Sequence, residues 1–172
     1  GDSGKVGSNW LANGMYDRGA TGIAFLRRDG FASMEADAKG GSLTTRPVIF
    51  SGAQLFVNVD ASAGELKAEI LNEAGDPIKP FTLAACRVIS TNSTLAAVSW
   101  EGADSLAVLH GKPVRFRFAL QKGALYAFWV SRDSTGRSDG YVAGGGPGFT
   151  GPTDTVGLAS LEAEARLGRI AD

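Results

Sequence analysis

From Gly22 to Ser131 the chain passes through about ten short segments of alternating apolar and polar residues, each closed by Gly, Asp, Asn or Pro. Successive side chains of a strand point to opposite faces, so period two punctuated by turn residues is the pattern of an antiparallel sheet with one buried face. Repeated this often, it predicts a β-sandwich. A length of 172 residues suits one domain with a sizeable core, and a hydrophobic fraction of 44% is ordinary for a globular protein.

Gln54 to Asp60 places Leu55, Val57 and Val59 on one face and Phe56, Asn58 and Asp60 on the other. Glu65 to Leu71 repeats the habit, with Leu66, Ala68 and Ile70 inward. In Val114 to Leu120, the apolar Val114, Phe116, Phe118 and Leu120 alternate with Arg115, Arg117 and Ala119. Strands are also expected at Gly22 to Arg27, Phe31 to Glu35, Leu43 to Phe50, Leu95 to Trp100 and Ala124 to Val130. The first two are joined by Arg28, Asp29 and Gly30, and Asp-Gly between such runs signals a hairpin. Asn72 to Pro77 is a turn in which Gly75 can take a positive φ. Both faces of Leu125 to Val130 are apolar, which fits a central strand covered on each side or, the favoured alternative, a face docked on a neighbour.

Three regions follow: residues 1–20 as a Gly-rich leading segment or linker, residues 21–131 as the sandwich, and residues 132–172 as a Gly-rich loop and short helix. The helix is expected over Leu158 to Leu167, with Leu158, Leu161, Ala165 and Leu167 inward and Asp154 or Thr155 as caps. Gly1 stands where an initiator Met would, so a tag scar or a piece cut from a longer chain is expected.

Seventeen Lys and Arg against 18 Asp and Glu leave a net charge of -1, too little field to gather nucleic acid or an anionic membrane. No apolar run is long enough to span a bilayer, and the start lacks the layout of a signal peptide. Cys86 and His110 are the single representatives of their types, so an intrachain disulfide and any site needing two imidazoles are excluded. No cofactor and no metal site is expected. No Asp-rich loop has a calcium-ligand spacing.

Chemistry-bearing motifs are few. Gly1-Asp2-Ser3-Gly4 matches the surroundings of a serine nucleophile by accident, because the two-barrel fold such a site needs has no room here. Gly144 to Gly148 lacks a following Lys-Ser or Lys-Thr and contains Pro147, so it reads as loop rather than phosphate cradle. His110 ends an apolar run and reads as a turn residue. A glycosidase needs paired carboxyls. Asp29 with Glu35, and Asp60 with Glu65, read more simply as turn chemistry, so no catalytic residue is assigned. Aromatic rings offer an alternative, since sugar C–H faces stack on them while Arg, Asn and Asp take hydroxyls. Trp10, Trp100, Tyr126, Trp129 and Tyr141 are available, and Arg115 and Arg117 with Arg27 and Arg28 would form a basic stripe. The candidate ligand-binding residues are Trp100, Arg115, Arg117, Tyr126 and Trp129.

The run Thr21-Gly22-Ile23-Ala24-Phe25-Leu26-Arg27-Arg28-Asp29-Gly30-Phe31-Ala32-Ser33-Met34, with Leu43-Thr44-Thr45-Arg46-Pro47, resembles a recurrent module of bacterial glycoside-hydrolase-like proteins, their C-terminal β-sandwich. Further matches are Leu55 to Asp60, Gly75 to Ile78, Pro113 to Phe118 and Leu125 to Ser131, so the resemblance covers most of residues 21–131. In such proteins the sandwich follows a five-bladed propeller, similar to glycoside hydrolase families 32 and 43, which holds the catalytic carboxylates. The resemblance implies a non-catalytic accessory or stabilising domain of a secreted or periplasmic carbohydrate-active protein, partnered by that propeller. Two alternatives stay open: a carbohydrate-binding module using exposed aromatics, and an autonomous glycoside hydrolase. The fold class expected is all-β, an antiparallel β-sandwich of jelly-roll-like form with a C-terminal loop and short helix.

Overall fold

A computed structural model describes residues 22, 26–142 and 148–168, without the side chains of residues 164, 167 and 168. In chain order its strands are β1 (Met34–Ala36), β2 (Gly41–Thr44), β3 (Gln54–Asp60), β4 (Glu65–Leu71), β5 (Asn92–Val98), β6 (Arg115–Gln121) and β7 (Gly123–Ser131). A short 3-10 helix spans Ala107–Leu109, and α1 (Ala159–Gly168) follows β7. The strands form two antiparallel sheets, a four-stranded one in the order β1-β7-β3-β5 and a three-stranded one in the order β2-β6-β4.

The topology is that of a long hairpin folded over on itself. β1 lies beside β7, β2 beside β6, and β3 beside β5. The chain leaving β4 returns along its edge through the bridges Leu71–Pro77 and Leu66–Ile89. This outermost-to-innermost pairing across two sheets is the jelly-roll arrangement, with its eighth strand reduced to isolated bridges.

The period-two faces meet where the sequence places them. Leu55, Val57 and Val59 of β3 join Leu66, Ala68 and Ile70 of β4 and Phe116, Phe118 and Leu120 of β6 in one buried cluster. Each of these side chains except the small Ala68 contributes about 1.5–3 kcal/mol on leaving water. Phe128 reaches this core from β7, its ring centroid 5.6 Å from Phe116 and 5.0 Å from Phe118. Trp100 closes one end, edge-on to Phe81 at 5.5 Å, with its indole N–H donating to the Ala68 carbonyl at 2.8 Å.

Four expectations change. Leu26 and Arg27 are not in a strand, and β1 pairs with β7, so the Arg28–Gly30 turn, with Asp29 at φ 48°, does not join a hairpin to β1. β2 ends at Thr44, and beyond Pro47 it continues only as the Val48–Val114 bridge. α1 forms where expected, but Leu158 is 41% exposed and Ala165 is exposed, while Ser160 is fully buried. β7 is a central strand whose outer-face rings Tyr126 and Trp129 are met by Arg27 and Gly136 of the same chain rather than left bare for a neighbour. The leading segment with Trp10 lies wholly, and the strand expected over 22–27 and the Gly144 to Gly148 loop partly, outside the described residues.

Candidate functional site

Two of the places that gather polar side chains among the described residues differ in whether those side chains have partners. The first is the outer face of the four-stranded sheet. Asn58 points outward from the middle of β3 yet is 1% exposed. Its amide donates to the Arg28 carbonyl at 2.5 Å, and its carbonyl accepts from Arg27 Nε at 2.6 Å. Arg27 also donates to the Val59 carbonyl at 2.9 Å and to Asn92 Oδ1 at 2.5 Å. Its guanidinium lies 4.5 Å over the ring of Tyr126. Residues 26–28 are thereby strapped across β3, β5 and β7.

Arg28 carries the strap to the C-terminal segment. Its guanidinium donates to Asp154 Oδ2 at 2.9 Å and to Ser160 Oγ at 3.0 Å, and it lies 4.4 Å over Phe149. Asp154 is fully buried and also accepts from the backbone N–H groups of Ser138, Val156 and Gly157. Burial alone would raise the Asp154 carboxyl. The bonds from Gly157, Ser138 and Val156, with the Arg28 charge, outweigh burial and hold it below its usual range. The Ser160 hydroxyl donates to the Gly157 carbonyl at 2.7 Å, closing the turn that leads into α1. Next to this network, Gly136 sits on Phe56, whose ring stacks on Trp129 at 6.0 Å.

The second place is a cleft of about 290 Å³ where β3 begins and β5 ends. Two irregular segments build it. Residues 85–87 run antiparallel to 99–101 through the Cys86–Trp100 bridge and the Arg87 N–H bond to the Ser99 carbonyl at 2.9 Å. Residues 103–106 then return beside β3, with Leu106 N–H bonded to the Ala53 carbonyl at 2.7 Å. Trp100 and Leu106 line the bottom, and Gln54, Arg87, Ser99 and Asp104 line the walls. Among the described residues, none of those four wall side chains makes a hydrogen bond or ion pair.

The sequence candidates are not brought together. Trp129 and Tyr126 lie on the outer face of the four-stranded sheet, Trp129 with its indole N–H donating to the Gly136 carbonyl at 2.9 Å and Tyr126 under Arg27. Arg115 and Arg117 lie on the outer face of the other sheet. Arg115 donates to the Thr45 carbonyl at 3.2 Å, and Arg117 pairs with the buried Glu69. The expected basic stripe is therefore divided between opposite sides of the sandwich. Trp100 is buried at one end, 5% exposed, and only its margin reaches the cleft. Tyr141 is exposed, at 85%.

Three of the four carboxylates considered for acid–base work are engaged locally, while Glu65 makes no side-chain hydrogen bond or ion pair among the described residues. Asp29 lies 3.6 Å from Arg28 Nε, and Glu35 accepts from Ser33 at 3.2 Å. Asp60 accepts from the Ser62 hydroxyl and N–H, which lower its pKa in that order of weight. His110 Nε2 lies 2.6 Å from the Gly52 carbonyl, so the imidazole ties the 3-10 turn to the chain before β3. No group of three or more His, Cys, Asp or Glu able to hold a metal occurs among the described residues. No helix among them is long and apolar enough to cross a membrane.

Sequence reasoning named Trp100 but missed Gln54, Arg87, Ser99 and Asp104. These residues sit at strand ends and in turns, where period two carries no signal; the one available hint was a concentration of turn residues around Trp100. Compared with known proteins, the chain matches no family model, no curated protein and no solved structure.

Proposed function

We propose that the chain is a non-catalytic accessory domain of a secreted or periplasmic carbohydrate-active protein, a jelly-roll sandwich that stabilises a neighbouring propeller catalytic domain. The observation that carries this reading is the use made of the buried polar groups. Of the buried polar groups, Arg28, Asp154, Ser160 and Asn58 tie residues 26–30 and 136–160 to the sandwich, Glu69 pairs with Arg117, and only the neutral Ser131 hydroxyl, among these buried groups, has no hydrogen-bond partner among the described residues. A carboxylate that accepts three backbone N–H bonds and an Arg is held ionised, which suits a permanent cross-link and not a proton donor. The link to carbohydrates comes from the resemblance of residues 21–131.

The partner surface is not the one that the apolar β7 implied, because Phe128 faces the core, Trp129 stacks on Phe56 and Tyr126 lies under Arg27. Large exposed apolar side chains instead concentrate on residues 26–34, with Leu26 57%, Phe31 76% and Met34 58% exposed. Patches of this kind mark docking surfaces. The test compares the propeller-bearing parent protein with and without this domain. Removing the domain is expected to lower the melting temperature of the propeller, and the isolated chain is expected to release no reducing ends from glycans. Turnover by the isolated chain would overturn the reading.

A further inference from the structure

The geometry points to the cleft between β3, β5 and the 99–106 turn as a binding site for one neutral pyranose or the end of a neutral oligosaccharide. The inference rests on the carbohydrate reading for its ligand class and on the cleft alone for its location. A volume of about 290 Å³ lies at the lower edge of the small-molecule range of about 300–1,000 Å³, which favours one sugar ring over a long chain.

The wall chemistry selects the ligand. Arg87 brings donors only, Asp104 acceptors only, and Gln54 and Ser99 both. Sugar hydroxyls each donate and accept, so a polyol satisfies a guanidinium and a carboxylate in the same site. An anion would meet Asp104, a cation would meet Arg87, and a wholly apolar ligand would leave both charges covered and unpaired. Trp100 and Leu106, 5% and 2% exposed, offer the C–H groups of a ring only an apolar edge. The Gln54, Arg87, Ser99 and Asp104 side chains have no partner among the described residues, so ligand hydroxyls would replace water and would not have to break a protein bond.

The test records amide spectra of the 172-residue chain while glucose, galactose, xylose, fructose and lactose are titrated, with glucuronate as a charged counter-probe. At least one neutral sugar is expected to shift the amides of Ala53, Ser99, Ala103 and Ser105 saturably. Arg87→Ala and Asp104→Ala are each expected to weaken it about tenfold, the loss of one charge-assisted hydrogen bond. Both variants are expected to keep the parent melting temperature, which separates lost binding from lost folding. Saturable shifts confined to an outer sheet face, equal affinity in both variants, or no saturable shift with any sugar would overturn the assignment. Such a failure leaves the propeller experiment unaffected, so loss of this site and loss of the accessory-domain reading are separately visible.

Discussion

Arg28 and Arg87 are the same residue type in opposite circumstances. Arg28 is held by Asp154 and Ser160 beneath the C-terminal segment, with 10% of its side chain exposed. Arg87 stands at the rim of a cleft, exposed and without a partner among the described residues. The first belongs to the architecture, because a buried charge is tolerable only when its partners are permanent. The second retains hydrogen-bonding capacity for something outside the chain. The contrast between these two arginines separates a face that holds the fold from a cleft that is free to bind.

The comparison is broken most severely at Asp154. Asp154→Ala leaves Arg28 buried without its carboxylate and frees the Ser138, Val156 and Gly157 amides. A loss of about 3–5 kcal/mol is expected in urea unfolding. The same experiment on an Asp104→Ala variant is expected to move stability by under about 0.5 kcal/mol, the usual result for an unengaged surface side chain.

Gly136→Ala comes next. Gly136 has φ 72°, and an added Cβ would lie 2.5 Å from Leu95 Cδ2 and 2.9 Å from Phe56 Cε1. A cost of about 1–3 kcal/mol is expected from strain and overpacking, read in the melting temperature.

Acid provides a smaller effect with a definite sign. The folded Asp154 carboxyl lies below its ordinary value, so its contribution is fully present above the unfolded pKa of about 3.9 and is lost as pH falls through the lower folded value. Stability should therefore decline below about pH 4, and Asp154→Asn should flatten part of that decline. The smallest effect concerns Cys86, 5% exposed, whose thiol is pushed up by burial. Slow alkylation in the native state is expected, becoming fast in urea.

How much of this was legible in the sequence depended on whether the local pattern or the tertiary arrangement decided the outcome. β3, β4, β6 and β7 are read correctly because Leu55, Leu66, Phe116 and their alternates face one core, and a slip of register would expose all of them. β5 begins earlier than Leu95 because Asn92, Ser93 and Thr94 lie on an edge strand, where polar residues pair as well as apolar ones. The inward face of α1 was misread, since Ser160 is buried by hydrogen bonds to Gly157 and Arg28 and apolar spacing cannot anticipate that. The apolar outer face of β7 was visible, but what covers it was not. Arg28 and Asp154 are 126 positions apart, and no local signal links them. The cleft was invisible for a related reason: Gln54, Arg87, Ser99 and Asp104 become neighbours only when two irregular segments bridge.

The most direct measurement is a side-by-side urea unfolding of the chain with Arg28→Met and with Arg87→Met. A loss of several kcal/mol for Arg28→Met and no measurable change for Arg87→Met is the predicted result. Equal losses, or a neutral Arg28→Met, would contradict the division between a face that holds the fold and a cleft that is free to bind.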